Sequence, residues 1–169
     1  MVALGERLPA TWLDDIHGVP HMLAAADGRV RVILFWSANC PVVKLAEARL
    51  AALQRTWSAE VSVLFVAPNA DESLELLTSE AEARGISPIL VDSGARVADE
   101  LGCTITPQAF VVDGQARLRY RGAVDDSTMR QPEPLRHFLA DAVMAVLTGG
   151  SPEPAETPTY GSVIVREHS

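Results

Sequence analysis

The sequence predicts an α/β domain: a mixed central sheet flanked by helices, with an N-terminal extension and a C-terminal tail. Three observations carry that expectation. Short, β-branched apolar runs alternate with stretches whose apolar residues recur every three to four positions, the pattern of buried strands between amphipathic helices. Strand–helix–strand order needs crossovers, and crossovers give parallel pairing. Asp113-Gly114 lies between two further strand-like runs; this hairpin signal adds antiparallel strands and makes the sheet mixed.

The elements follow in order. Residues 4–15 form an irregular opening, with Gly5 and Pro9, that ends at the turn signal His17-Gly18. Residues 30–36 (VRVILFW) read as a buried strand. Residues 41–57 read as a helix, because Val42, Ala46, Leu50, Leu53 and Trp57 share helical spacing. Residues 61–66 (VSVLFV) are a second buried strand. A charged helix over 71–84 closes at Gly85, where glycine suits the left-handed cap. A short strand at 89–91 and a short helix at 95–101, followed by Gly102, come next. Residues 109–112 and 117–121 are the hairpin strands. A last helix is expected over 134–147, with Leu135, Phe138, Leu139, Ala142 and Val146 on one side. The composition then changes to GGSPEPAETP, a linker. The division expected is a domain over residues 1–148 and a linker with tail over 149–169. Within that tail, 160–166 reads equally as a short strand or as a mobile end.

Composition limits the function. Apolar residues make up 48% and charged residues 21% of the 169, a balance that suits a globular domain. The net charge of -8, with Lys44 the one lysine, disfavours nucleic acid and anionic membrane as partners. No apolar run approaches the ~20 residues a membrane span needs. The N-terminus lacks a basic stretch followed by an apolar one, so a cytoplasmic location is expected unless a targeting segment has been removed. Cys40 and Cys103 are too few for a disulfide scaffold and are not spaced as a local metal site. His17 and His21 are four apart, but Gly18 and Pro20 break any helix between them. No metal or cofactor is expected.

The chemistry centres on Cys40. It follows a buried strand and precedes Pro41, and proline is favoured at the first helical position. That places the sulfur at a helix N-terminus, beside unpaired N–H groups and the positive end of the dipole. Such a place favours the thiolate, the nucleophilic form. The bland alternative is a buried, inert cysteine. A second signal is Thr106-Pro107 immediately before a strand, where an X-Pro bond can be cis and shape a tight turn.

The stretches LGERLPATWLDDIHG, LFWSANCPVVK, VDSGARVADELGCTITP and TPQAFVVD occur in that order. Together they resemble the thioredoxin-fold redoxins, the group of thioredoxins and alkyl hydroperoxide reductase/thiol-specific antioxidant proteins, over residues 4–147. The resemblance implies a thioredoxin fold, with Cys40 as the redox cysteine and a cis Thr106–Pro107 bond facing it. Ser37 stands where a dithiol enzyme has its first cysteine, and serine cannot close a disulfide. The same Ser-x-x-Cys spacing resembles the peroxiredoxin motif, in which the hydroxyl assists the peroxidatic cysteine, although Ile33 replaces the proline that opens that motif. Arg121 is implied as the arginine that holds the thiolate, and Arg119 shares its strand face by the period-two rule. Cys103 is a candidate resolving thiol, or else a small core residue. Ser162 stands where some relatives carry cysteine.

Three readings remain at this point. Cys40 attacks a peroxide or a disulfide. Alternatively, the protein is a thiol–disulfide oxidoreductase whose cycle is completed by Cys103 or by an external thiol. Or the fold is a non-catalytic module that holds a partner in the Pro107 groove. The partners expected are a peroxide or a protein thiol or disulfide, with an external thiol as reductant.

Overall fold

In the computed structural model, which describes residues 1–167, the chain opens with a small hairpin, β1 (Trp12–Asp14) and β2 (Pro20–Met22). It continues through β3 (Val30–Phe35), α1 (Pro41–Gln54), β4 (Val61–Ala67), α2 (Leu74–Arg84) and β5 (Ile89–Val91). Then come a 3-10 turn, α3 (Arg96–Leu101), β6 (Ile105–Thr106), β7 (Gln108–Val112), β8 (Leu118–Gly122), α4 (Phe138–Leu147) and β9 (Ser162–Val163). The central sheet has the order β5-β4-β3-β7-β8. Strands β3, β4 and β5 pair in parallel, while β7 and β8 join antiparallel, so the sheet is mixed.

Alternation along β3 builds the two layers around it. Val32 and Leu34 enter one apolar cluster, and Ile33 and Phe35 enter the other, because successive strand side chains face opposite ways. The first cluster takes Val43 and Leu50 of α1, Leu77 of α2 and Leu139 of α4. The second takes Val97 and Leu101 of α3, Leu8 and Leu13 of the opening segment, Cys103, and Ile164 of the tail. Side chains in both layers are closed off from the surface: Leu50 and Phe110 are fully buried. Truncating such a leucine to alanine costs ~2–5 kcal/mol.

Helix ends explain where the structure departs from the periodicity. Helix α1 stops at Gln54, and Thr56 and Trp57 turn back onto the Leu53 carbonyl. Helix α2 starts at Leu74, not at residue 71. Ser73 caps it, its hydroxyl accepting from Leu76 N at 3.1 Å, and a capping side chain of this kind fixes a helix start. Helix α4 starts at Phe138, later than residue 134. Asp126 Oδ1 accepts from the amides of Leu135 and Arg136, which holds that stretch as a loop and leaves Leu135 exposed. The β1–β2 hairpin was not expected; its strands are three residues each, too short for a period to show.

The described part of the tail is anchored at several points. Ala155 and Thr157 bond to the Arg121 backbone, beside β8. Thr157 Oγ1 bonds Tyr120 Oη and accepts from Ala123 N. Gly122 makes the room: a Cβ there would lie 2.1 Å from Thr157 Oγ1, and its φ of 153° is one that side chains rarely adopt. Further on, β9 pairs antiparallel with β6, Thr106 opposite Ser162.

Candidate functional site

Cys40 caps the N-terminus of α1 with extended backbone, φ -89° and ψ 117°, and Pro41 follows at the first helical position. Its side chain makes no capping bond. The sulfur faces the next loop instead. Cys40 Sγ donates to Thr106 O at 3.4 Å and accepts from Ser162 Oγ at 3.1 Å. The residue is 2% exposed. The Thr106–Pro107 bond is cis. Thr106 is fully buried, and its Oγ1 has no hydrogen-bond partner among the described residues. Cys40, Thr106 and Pro107 thus meet, and the tail closes over them through Ser162.

Ser37 is near in sequence but directed away. Its hydroxyl donates to Glu72 Oε2 at 2.5 Å and accepts from Asn39 N at 3.3 Å. Glu72 is buried just before α2, and it also accepts from Ala38 N at 2.9 Å and from Asn69 Nδ2 at 3.2 Å. A buried carboxylate needs such donors to replace water. The cluster fixes the loop between β3 and α1, and with it the position of Cys40. The expectation that the Ser37 hydroxyl attends the cysteine is corrected here: the carboxylate of Glu72 is the stronger acceptor and takes it.

A second polar cluster braces the same loop. Trp36 Nε1 donates to Glu47 Oε2 at 2.7 Å, Arg84 lies 5.2 Å over the Trp36 ring, and the Arg84 guanidinium donates to Ala38 O. Sequence reasoning missed Glu72, Asn69, Glu47 and Arg84. Nothing in a stretch such as NADES distinguishes a buried carboxylate from a solvated acid near a helix start.

Arg121 is the second correction. It sits opposite Phe110 in the β7–β8 ladder and so shares the face of the second cluster, whereas Cys40 belongs to the first. Its Nη1 donates to Val2 O and Leu101 O. Its Nε lies 3.2 Å from Glu156 Oε1, an ion-pair contact too bent for a hydrogen bond. Arg121 ties the N-terminus and the tail to the sheet and gives Cys40 no hydrogen bond. Arg119 does not share its face. A register shift between Val111 and Val112 breaks the period, and Arg119 binds Asp113 and Gly150 instead.

Cys103 lies in the second cluster at 1% exposure, its Sγ donating to Ile105 O at 3.3 Å. Burial pushes its thiol well up from the ordinary value, and the nearby Asp92 adds in the same direction. Neither cysteine is in a disulfide. Among the described residues no three His, Cys, Asp or Glu side chains gather where a metal could bind, and no helix is long and apolar enough to cross a membrane.

The AhpC/TSA family model matches residues 4–121, which include Ser37, Cys40, Thr106 and Pro107. The chain belongs to the AhpC/TSA family. Solved structures agree on the thioredoxin fold. A hypothetical protein of Sinorhizobium meliloti is 29% identical with a TM-score of 0.88, covering 100% of this chain and 97% of its own. An uncharacterized conserved protein of Geobacillus kaustophilus is 26% identical with a TM-score of 0.88, covering 100% and 95%. A thioredoxin-family thiol:disulfide interchange protein of Chlorobium tepidum is 19% identical with a TM-score of 0.61, covering 78% and 93%. No curated protein matches the sequence. The match of this AhpC/TSA member to its family ends before the tail, while the first two structures span the tail as well.

Proposed function

We propose that this AhpC/TSA protein carries out thiol–disulfide exchange through Cys40 alone, with an external thiol completing the cycle. One observation carries the reading: Cys40 Sγ lies against the Thr106 carbonyl at the start of α1, on the track of an extended chain segment. The groups that the family resemblance implies for peroxide chemistry are engaged elsewhere, Ser37 on Glu72 and Arg121 on Val2, Leu101 and Glu156. That disfavours peroxide as the substrate.

Deprotonated Cys40 attacks one sulfur of a partner disulfide; a new S–S bond forms, the old one breaks, and the departing thiolate takes up a proton. A second, external thiolate attacks the sulfur that Cys40 holds, or Cys40 itself, and Cys40 returns as the free thiol or carries the external group onward. Cys103 takes no part, since it is buried in the other layer with its thiol held protonated.

Intact-mass analysis with oxidised glutathione tests this. The expected result is a mixed disulfide at Cys40 that an added thiol releases, with peroxide consumed no faster than by a simple thiol. Rapid peroxide turnover without exchange would reverse the order of the two chemistries. No adduct and no turnover would favour a non-catalytic binding module.

A further inference from the structure

Cys40 is buried beneath residues that are themselves exposed. Gly161, Ser162 and Val163 all lie at the surface, yet Ser162 Oγ is 3.1 Å from Cys40 Sγ. This span is suspended between two anchors. Upstream, Thr157 is buried on Tyr120 and Ala123. Downstream, Ile164 is buried in the second cluster, its N–H donating to Thr104 O. Between them the backbone lies antiparallel on Ile105–Thr106, with Ser162 opposite Thr106.

Gly161 shows how close the approach is. A Cβ there would meet Thr106 O at 2.0 Å and Pro107 Cδ at 3.0 Å. Its φ is not in the positive region, so glycine is required for space and not for conformation. The three features define a track: an extended backbone beside Thr106, no side chain at one position, and at the next a short side chain whose terminal atom reaches the sulfur. Resting on the exchange reading above, we infer that the tail occupies the track of a polypeptide partner as a built-in competitor, and that the partner is an extended segment whose half-cystine directly follows a glycine. The partner's sulfur takes the place of Ser162 Oγ, and the strap must lift before Cys40 can react. A surface strand of two residues opens more readily than the core around it. Backbone pairing supplies affinity in such strand addition, and the side-chain positions supply selectivity.

The test uses the full chain with Gly161→Val, whose side chain cannot fit beside Thr106, and with Ile164→Asp, which loosens the downstream anchor. Circular dichroism and thermal melting first show that each variant is folded. Iodoacetamide labelling of Cys40, followed by peptide mapping, should then accelerate by about tenfold or more in both. A synthetic peptide with the sequence of residues 159–165 should slow labelling of the Gly161→Val protein, and the same peptide with valine for glycine should not. Unchanged labelling in both folded variants overturns the strap, and equal competition by the two peptides overturns the glycine requirement. Alkylation reads access and not exchange, so a protein that passes both tests yet forms no mixed disulfide removes the proposed chemistry and leaves the strap standing.

Discussion

Ser162 Oγ donates to Cys40 Sγ at 3.1 Å across 122 residues of sequence. This contact joins β9 to the start of the first helix. A sulfur in place of that oxygen would sit within reach of a bond. Ser162→Cys is therefore expected to form an intramolecular disulfide with Cys40 under mild oxidation, visible by intact mass and by loss of two of the variant's three thiols, Cys103 staying free. Closing so long a loop should stabilise the oxidised form by at most about 4–5 kcal/mol by chain entropy, read as a rise in melting temperature that a reductant reverses. All three free thiols persisting after oxidation would place the tail away from the site in solution.

Cys103 should behave as a core residue. Its burial and raised pKa leave almost no thiolate at neutral pH, and the thiolate is the reactive form. In the folded protein, alkylation should reach Cys40 first and reach Cys103 only on global unfolding. After one equivalent of oxidant no Cys40–Cys103 crosslink should appear in a disulfide map. Cys103→Ala should leave the exchange rate within about threefold of the parent. A dominant crosslink between the two cysteines, lost in that variant, would make Cys103 the resolving thiol.

What the sequence revealed and what it hid have different physical origins. The core strands were legible because VRVILFW and VSVLFV are apolar but for Arg31 and Ser62, and Gly85, at φ 68°, marks a stop that the backbone itself demands; Asp113-Gly114 marked the hairpin, although the left-handed residue in that connection is Ala116, at φ 65°. Cys40 at a helix start was legible because proline after it fixes the first turn. The direction of side chains was not. The Ser37 hydroxyl turns to Glu72, a partner 35 residues away, and Arg121 turns to Val2, 119 residues away; no local pattern records either. The bulge in β8 is a single extra residue, Arg119 itself between Leu118 and Tyr120, which a period-two reading passes over. The tail reads as linker because Pro and Gly dominate residues 149–158, yet Thr157 and Ile164 are buried against distant strands.

The orientation of Ser37 separates a structural from a chemical role. Glu72→Ala would strand the Ser37 hydroxyl and the Ala38 amide, two buried donors, and should cost about 2–4 kcal/mol in urea unfolding. Glu72→Gln keeps an acceptor for Ala38 and should cost less. Ser37→Ala leaves Glu72 with Ala38 and Asn69 as donors and should cost about 1 kcal/mol. Because the Ser37 hydroxyl does not bond Cys40 Sγ, exchange by the Ser37→Ala protein should stay within about threefold of the parent. A fall of about a hundredfold in a protein that remains folded would put the hydroxyl in the chemistry.

The upstream anchor of the tail predicts a dependence on alkaline pH. Tyr120 is fully buried, and its hydroxyl donates to Ala123 O at 2.6 Å and bonds Thr157 Oγ1 at 2.7 Å. Burial pushes its pKa up to about 12, outweighing the opposing hydrogen bond from Thr157. An unfolded tyrosine titrates near ~10. The folded state therefore holds this proton more tightly, so the stabilisation is full below ~10 and is lost as pH rises through the folded value. Tyr120→Phe removes the hydroxyl, and with it both bonds. At neutral pH the variant should be less stable by about 1–3 kcal/mol, and Thr157 should hold the tail less firmly. Above pH ~10 the parent loses stability that the variant does not, so the gap between their urea midpoints should narrow. A gap that stays constant from neutral to strongly alkaline pH would show that Tyr120 does not titrate with the fold.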